Sequence, residues 1–533
     1  MSKSVNLTLQ PKMHWQVDTY PQTGENLVER APESSVRYTS MRKLSFYRLL
    51  LVGLLTSVAH ADTNQTLEFT AYSDLYHTNL SSFSIDDQGS PNPTQQFGAL
   101  RVGVGANYNA GAFGIELAAD MVSFRLYGDT SPLGLNLGED TFREPIHDGA
   151  DPLWLPRTAV VQYRSGIGVF RCGQQTAHWG LGLLINDGRQ RERFGAAFNG
   201  NTSMRCLFAT KPIASIPTLT LLLTGDAVYR DDNAEWQLGD RAYGGSLGIR
   251  YGQKENQLGF LTSLRNQTDR TDPRSVTERR THLKALVADI FWQQTYTIGS
   301  QSVLWEGEIA TILGETNRPY LDETYEDGAS IQSLGAATAI SSTRGGHEVR
   351  LELGYASGDN DPTDDTVRQF AFHSSYGMGL IFVDHVMPAL SARAVDRIDN
   401  RELINVTPPS LRFLVNQGSL QSTAYVNPTL KFKLPWDFNA TVTYFYFAGG
   451  ADLVDIYNSN LNGGFNTTYG GQTADGGPIG HEVNVRLGYD VSLSSQRRLR
   501  INAESGVFIP DAALNGVIDD PIYALQLTTH VQL

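Results

Sequence analysis

The sequence predicts an all-β chain: a transmembrane antiparallel β-barrel of about eighteen strands, with long external loops partly folded into its lumen. Three observations predict it. From residue 66 onward, runs of about ten residues alternate apolar with polar or small side chains, the two-residue period of a half-buried strand. The links between runs alternate long and short along the whole chain. And the 533 residues, 41% of them hydrophobic and with 51 Gly, contain no apolar run of membrane-helix length.

The alternation is plain in 98–108, where Leu100, Val102, Val104, Ala106 and Tyr108 share one face and Arg101, Gly103, Gly105 and Asn107 the other. It returns in 244–251, 484–489, 499–507 and 523–533. The expected strands are 66–77, 97–109, 112–127, 156–164, 168–178, 203–211, 217–229, 241–252, 256–268, 282–298, 302–315, 329–344, 347–358, 422–434, 438–449, 480–492, 498–509 and 521–533. Sixteen is the alternative count, because 112–127 and 282–298 alternate weakly. Tight links at 165–167, 253–255, 345–346 and 435–437 face links of ten residues or more. Short periplasmic turns and long external loops have that asymmetry, whereas a two-layer sandwich has no need of it. Tyr108, Tyr163, Tyr251 and Tyr489 fall outward near the periplasmic ends, and Tyr355 near the outer end, as an aromatic girdle requires.

Before the first strand, Arg42, Lys43 and Arg48 precede the apolar run 49–58 and an Ala59-His60-Ala61 cleavage pattern, so 41–61 reads as a secretory signal. A signal belongs at a chain's start, so Met41 is the expected initiator and 1–40 a mis-started or disordered extension. Residues 1–61 hold seven Lys or Arg and four Asp or Glu; taken from totals of 42 and 56, they leave 35 and 52, a charge of −17 for 62–533. That acidity argues against nucleic acid. The signal and the barrel pattern together predict the cell outer membrane, with lipid and lipopolysaccharide as surroundings. Acids in the loops 226–240 and 316–327 are candidates for divalent bridges to lipopolysaccharide. A periplasmic partner is left open, and no cofactor is implied.

An eighteen-strand barrel is too wide for side chains to fill, so transport follows unless loops close it. Two links are candidates. Residues 178–203 carry Arg189, Arg191 and Arg193 beside Asp187 and Glu192, a set able to select ions by sign at a constriction. The roughly 60-residue link 359–421 contains the apolar stretch 379–398, expected to lie in or over the pore mouth as a short helix broken at Pro388. Inward parity assigns to the lumen Arg101, Arg164, Arg171, Arg205, Arg250, Arg265, Arg350, Lys431, Lys433, Arg486, Arg498 and Arg500. Against them stand Glu306, Glu308, Glu348, Glu352, Glu482, Asp490 and Glu504. Basic groups in a pore favour anions, although neighbouring Arg and Glu would neutralise each other.

Chemical motifs are weak. Gly244-x-Ser246-x-Gly248 lies inside a strand, where a nucleophile elbow cannot form, and the His-Glu pairs at 347–348 and 481–482 lack a second helical His. Asp359, Asp361, Asp364 and Asp365 form a weak calcium candidate that reads better as an Asp-rich turn. Cys172 and Cys206 fall outward on neighbouring strands, as a disulfide or as two lipid-facing thiols.

The segments GQQTAHWGLGLLINDG (173–188), RFG (193–195), GNT (200–202) and GYASGDNDPTDDTVRQF (354–370) resemble the alginate-export family of outer-membrane barrels. The resemblance implies eighteen strands, an arginine-rich lumen, pore-occluding loops and outward carriage of an anionic polysaccharide. It points to the 354–365 segment and the Arg498-x-Arg500 pair as functional, with Cys172 standing where such strands carry Arg. The expected function is an outer-membrane exporter or selective porin for anionic, carbohydrate-like solutes. A general diffusion porin is the alternative, and a barrel enzyme or adhesin a third.

Overall fold

A computed structural model describes residues 65–133, 155–189, 193–195, 200–253, 256–271, 280–299, 301–318, 328–361, 364–398, 410–449, 453–474, 476–492, 494 and 497–533. The expected signal and extension at 1–61, together with Arg191, Glu192 and loop residues 319–327, lie outside these.

Nineteen strands run in chain order: β1 Gln65–Leu80, β2 Gln96–Ala110, β3 Phe113–Gly128, β4 Leu155–Ser165, β5 Gly168–Thr176, β6 Thr202–Thr210, β7 Leu219–Arg230, β8 Arg241–Gln253, β9 Asn256–Thr268, β10 His282–Ile298, β11 Gln301–Thr316, β12 Ala329–Arg344, β13 His347–Ala356, the two-residue β14 Thr366–Val367, β15 Thr423–Lys433, β16 Phe438–Gly449, β17 Gly477–Ser492, β18 Arg498–Pro510 and β19 Ile522–Gln532. All but β14 pair antiparallel with their neighbours, and β1 closes on β19 from Tyr72 opposite Gln532 to Leu80 opposite Ala524. The result is a closed eighteen-strand barrel without a free edge, so every strand's backbone is satisfied within the wall. β14 lies parallel to β12 as an addition from the inserted segment.

Strand bounds match the alternation to within a few residues. In β13, Val349, Leu351, Leu353 and Tyr355 are exposed on the barrel exterior while Glu352 is buried inside. Gly345 and Gly346, both at positive φ (60° and 86°), close the β12–β13 hairpin in two residues, a backbone twist that matches the strands. β3 alternates weakly because its pairing with β2 slips at two places, between Gly98 and Ala99 and between Val102 and Gly103. Each slip inserts one residue and reverses the parity beyond it. The loop acid Asp226 is a correction: it lies on β7, facing Arg205 of β6.

The apolar core belongs to the loop between β13 and β15, residues 357–422, here called L7. It runs inward, and Phe370, Phe372, Tyr376, Met378, Phe382, Leu390 and Ile398 are fully buried. Phe382 packs against Phe447 of β16 (ring centroids 4.8 Å) and Phe508 of β18 (5.2 Å). Gly335 of β12 leaves the recess that Phe370 fills; a Cβ there would lie 2.2 Å from the ring. The helix expected to break at Pro388 does not. A π-turn, Phe382–Val386, leads directly into the helix Met387–Ile398, and Pro388 sits in its first turn, where no helical hydrogen bond needs its missing N–H.

Candidate functional site: a lumen narrowed by two loops

The loop between β5 and β6, residues 177–201 (L3), crosses the lumen and is gripped by carboxylates of the opposite wall. Glu308 on β11, fully buried, accepts from the backbone N–H of Leu181 and of Gly182 (3.0 Å). Trp179 donates to Asp289 on β10 (2.9 Å). Further along L3, Arg193 forks onto Glu352 of β13 with two contacts of 3.2 Å and lies 4.1 Å over the ring of Tyr376 in L7. Its carbonyl accepts from Arg486, which itself holds Glu504 at 2.6 Å.

L7 is held in the same way. Glu482 of β17, 0% exposed, accepts from the N–H groups of Leu380 (2.6 Å), Ile381 (3.2 Å) and Phe382 (2.9 Å), three orphan donors ahead of the π-turn. Glu352 also takes the hydroxyls of Tyr376 (3.0 Å) and Tyr425 (2.6 Å). At the outer mouth Arg412 of L7 forks onto Asp240 (3.0 and 2.7 Å), and Arg318 forks onto Asp269 (2.7 and 2.6 Å). Arg393 reaches Asp86 (2.7 Å) and Arg397 reaches Asp87 (2.8 Å), tying the L7 helix to the first external loop. Arg397 also stacks on Tyr457 of the loop 450–476, where Asp455 caps a short helix. Burial pushes the Asp455 carboxyl up to about 7, against the lowering effect of the Tyr457 N–H and of Arg397.

Between L3, L7 and the β6–β12 wall a cavity of about 470 Å³ remains, lined among others by Arg205, Arg265, Arg318, Arg412, Tyr243 and Asn416. Its guanidinium groups are matched to acids: Arg205 to Asp226, and Arg265 to Asp231 at 2.6 Å.

Arg101 pairs with Asp120 (3.1 Å), Arg171 with Glu116 (2.9 Å), Arg350 with Glu306 (2.6 Å) and Glu352 (2.9 Å), Lys431 with Glu348 (3.2 Å), and Arg500 and Arg498 with Asp490 (2.8 and 3.6 Å). Arg164, Arg250 and Lys433 face inward at the exposed periplasmic rim. Arg189 is exposed near Asp187 (3.5 Å), away from the wall acids. The lumen acids therefore do more than tune charge: Glu308, Glu352, Glu482 and Glu504 each anchor a loop. Nothing in the sequence marked Asp120, Asp269, Arg318 or Arg412, and Asp240 stood out only as one of the acids of the 226–240 loop, where the structure pairs it with Arg412. For Tyr376 the usable signal was its place beside Gly377 in a polar context, and for Tyr425 only its inward strand parity, shared with Lys431 and Lys433.

The acidic run 359–365 forms an Asp-rich turn. Asp359 accepts from the N–H of Asp361 (3.2 Å) and of Arg368 (3.0 Å), and Asp364 pairs with Arg368 (2.7 Å), so the turn is closed by Arg368. No metal-holding group of side chains occurs among the described residues. Cys172 and Cys206 face each other on β5 and β6 and form a disulfide.

A closed barrel with an apolar exterior and a charged, hydrogen-bonded interior is the form in which strands cross a bilayer. The chain is a transmembrane β-barrel. No family model matches it, and no curated protein matches it in sequence. Solved structures similar to this barrel include Pseudomonas aeruginosa OpdK with vanillate (14% identity, TM-score 0.48, 88% of this chain and 98% of that one). P. aeruginosa OccK2 (OpdF) in complex with glucuronate (12%, 0.48, 88% and 98%) and Acinetobacter baumannii OccAB1 (12%, 0.49, 88% and 96%) are further examples.

Proposed function

We propose that this outer-membrane barrel is a selective channel for small anionic, carbohydrate-like solutes. The observation that carries the reading is L7 inside the lumen: its buried core narrows an eighteen-strand pore, and a cavity of about 470 Å³ between L3, L7 and the wall has the size of a small-molecule site. A general diffusion porin would keep that segment outside. The cavity's size favours a monomer or short oligomer over a long polysaccharide.

Charge supports the anion preference on the periplasmic side. Among the described strand residues at inward parity there, Arg164, Arg171, Arg250, Arg350, Lys431, Lys433, Arg498 and Arg500 face Glu68, Glu116, Glu306, Glu348 and Asp490. Eight cations against five anions leave an excess of three positive charges, which attracts anions into a low-dielectric pore. In the cavity, the forked guanidinium groups of Arg265, Arg318 and Arg412 can exchange an Asp oxygen for a solute carboxylate, and neighbouring Ser and Asn side chains suit hydroxyls. A passive pore passes solute down its gradient, so the geometry favours neither export nor uptake. Ion-current block in a planar bilayer tests the reading: a uronate should interrupt the current at concentrations where the matching neutral hexose does not. Equal block by both, or by neither, would rule it out.

A further inference from the structure

The sequence left Cys172 and Cys206 between two readings, and the disulfide that the structure shows has a particular place. β5 and β6 are the shortest strands of the barrel, nine residues each, where the others have ten to seventeen. They carry L3, and L3 is pulled across the lumen to three other strands by Glu308, Glu352 and Glu504. Any fraying or slip of this hairpin moves the constriction. A one-residue slip would also turn Arg171 and Arg205 from the lumen to lipid.

The disulfide sits on directly opposed residues in mid-hairpin, with Phe170 and Phe208 stacked beside it (ring centroids 4.5 Å). It closes a covalent loop, residues 172–206, that contains the whole of L3. Both cysteines are on the exterior face, so the bond occupies no lumen space. A bond placed there contributes nothing to selectivity directly. It fixes the register and separation of the two strands from which the constriction hangs.

We propose that the Cys172–Cys206 disulfide is a brace at the root of L3 that holds the pore constriction in one position. The idea rests on reading the barrel as a channel, but one arm of its test does not. Full-length protein in detergent micelles is treated with dithiothreitol, which gives two electrons and two protons to the bond and leaves as its cyclic disulfide; two free thiols are then counted. Untreated, reduced and C172A/C206A protein are compared by trypsin cleavage after Arg189, and by single-channel recording after transfer to a planar bilayer. Retained heat-dependent gel mobility shows that the barrel is folded. Reduction and the double substitution should each speed cleavage in L3 at least fivefold and multiply the frequency of brief current steps, while the reversal potential stays fixed. Cleavage rates and current steps unchanged in both would overturn the brace. Faster cleavage without any measurable current would uphold the brace and sink the channel reading instead.

Discussion

Replacing Glu482 with Ala isolates the grip on L7. The carboxylate is fully buried and takes three backbone N–H groups at 2.6, 3.2 and 2.9 Å, besides the Asn484 amide at 2.9 Å. Losing the acceptor strands donors that have no other partner among the described residues, at roughly 1–3 kcal/mol each. Water entering the space left by the side chain recovers part of this, so docking of the 380–386 turn should weaken by about 3 kcal/mol, or roughly a hundredfold in equilibrium constant. Barrel stability should change little, because the strand ladder of β17 is untouched. Hydrogen exchange is the assay: the amides of Leu380, Ile381 and Phe382 should lose protection about a hundredfold, and single-channel current should rise or flicker. Glu482→Gln keeps one carbonyl acceptor and should fall between. Protection within threefold of the parent in Glu482→Ala would refute the idea that this acid anchors L7.

Further outcomes follow from the same contacts. Arg193→Ala removes the fork on Glu352 and the stack on Tyr376, leaving a buried carboxylate with less compensation; L3 should become cleavable after Arg189, and unchanged trypsin resistance would count against its role. Deleting 366–415 removes the inserted core and should raise single-channel conductance several-fold; no change would mean the segment never narrowed the pore. Asp455 is about 7 in the fold against roughly 3.9 free, so the folded state binds more protons between those values and its loop loses stability as pH rises from about 4 to 7. Amide exchange across 453–474 should quicken over that window in the parent, and Asp455→Asn, which keeps the helix cap, should abolish the dependence.

Alternation made the wall legible. Strand parity placed Arg101, Arg350, Arg486 and Glu352 in the lumen because the side-chain period of a strand is two and one face meets lipid. It is faint where bulges shift register, as in β3, and at Pro388 composition announces a helix but not which turn the proline occupies. The loops were legible by length and apolar content, which put L7 in the pore. Partners were not: Glu482 meets 380–382 and Arg193 meets Glu352 across a hundred residues of sequence or more, and no local pattern encodes that. Hence wall acids that look like a selectivity set in the sequence are, in the fold, the anchors of two loops.

The most direct test of the account is the reversal potential of the purified protein in a planar bilayer under a tenfold KCl gradient. An excess of inward cations predicts a potential of the sign set by chloride, shifted toward zero when Arg498 and Arg500 are both replaced by Gln. A potential of the sign set by potassium, or one at zero that the double substitution leaves unmoved, would contradict the reading of this barrel as a channel for small anions.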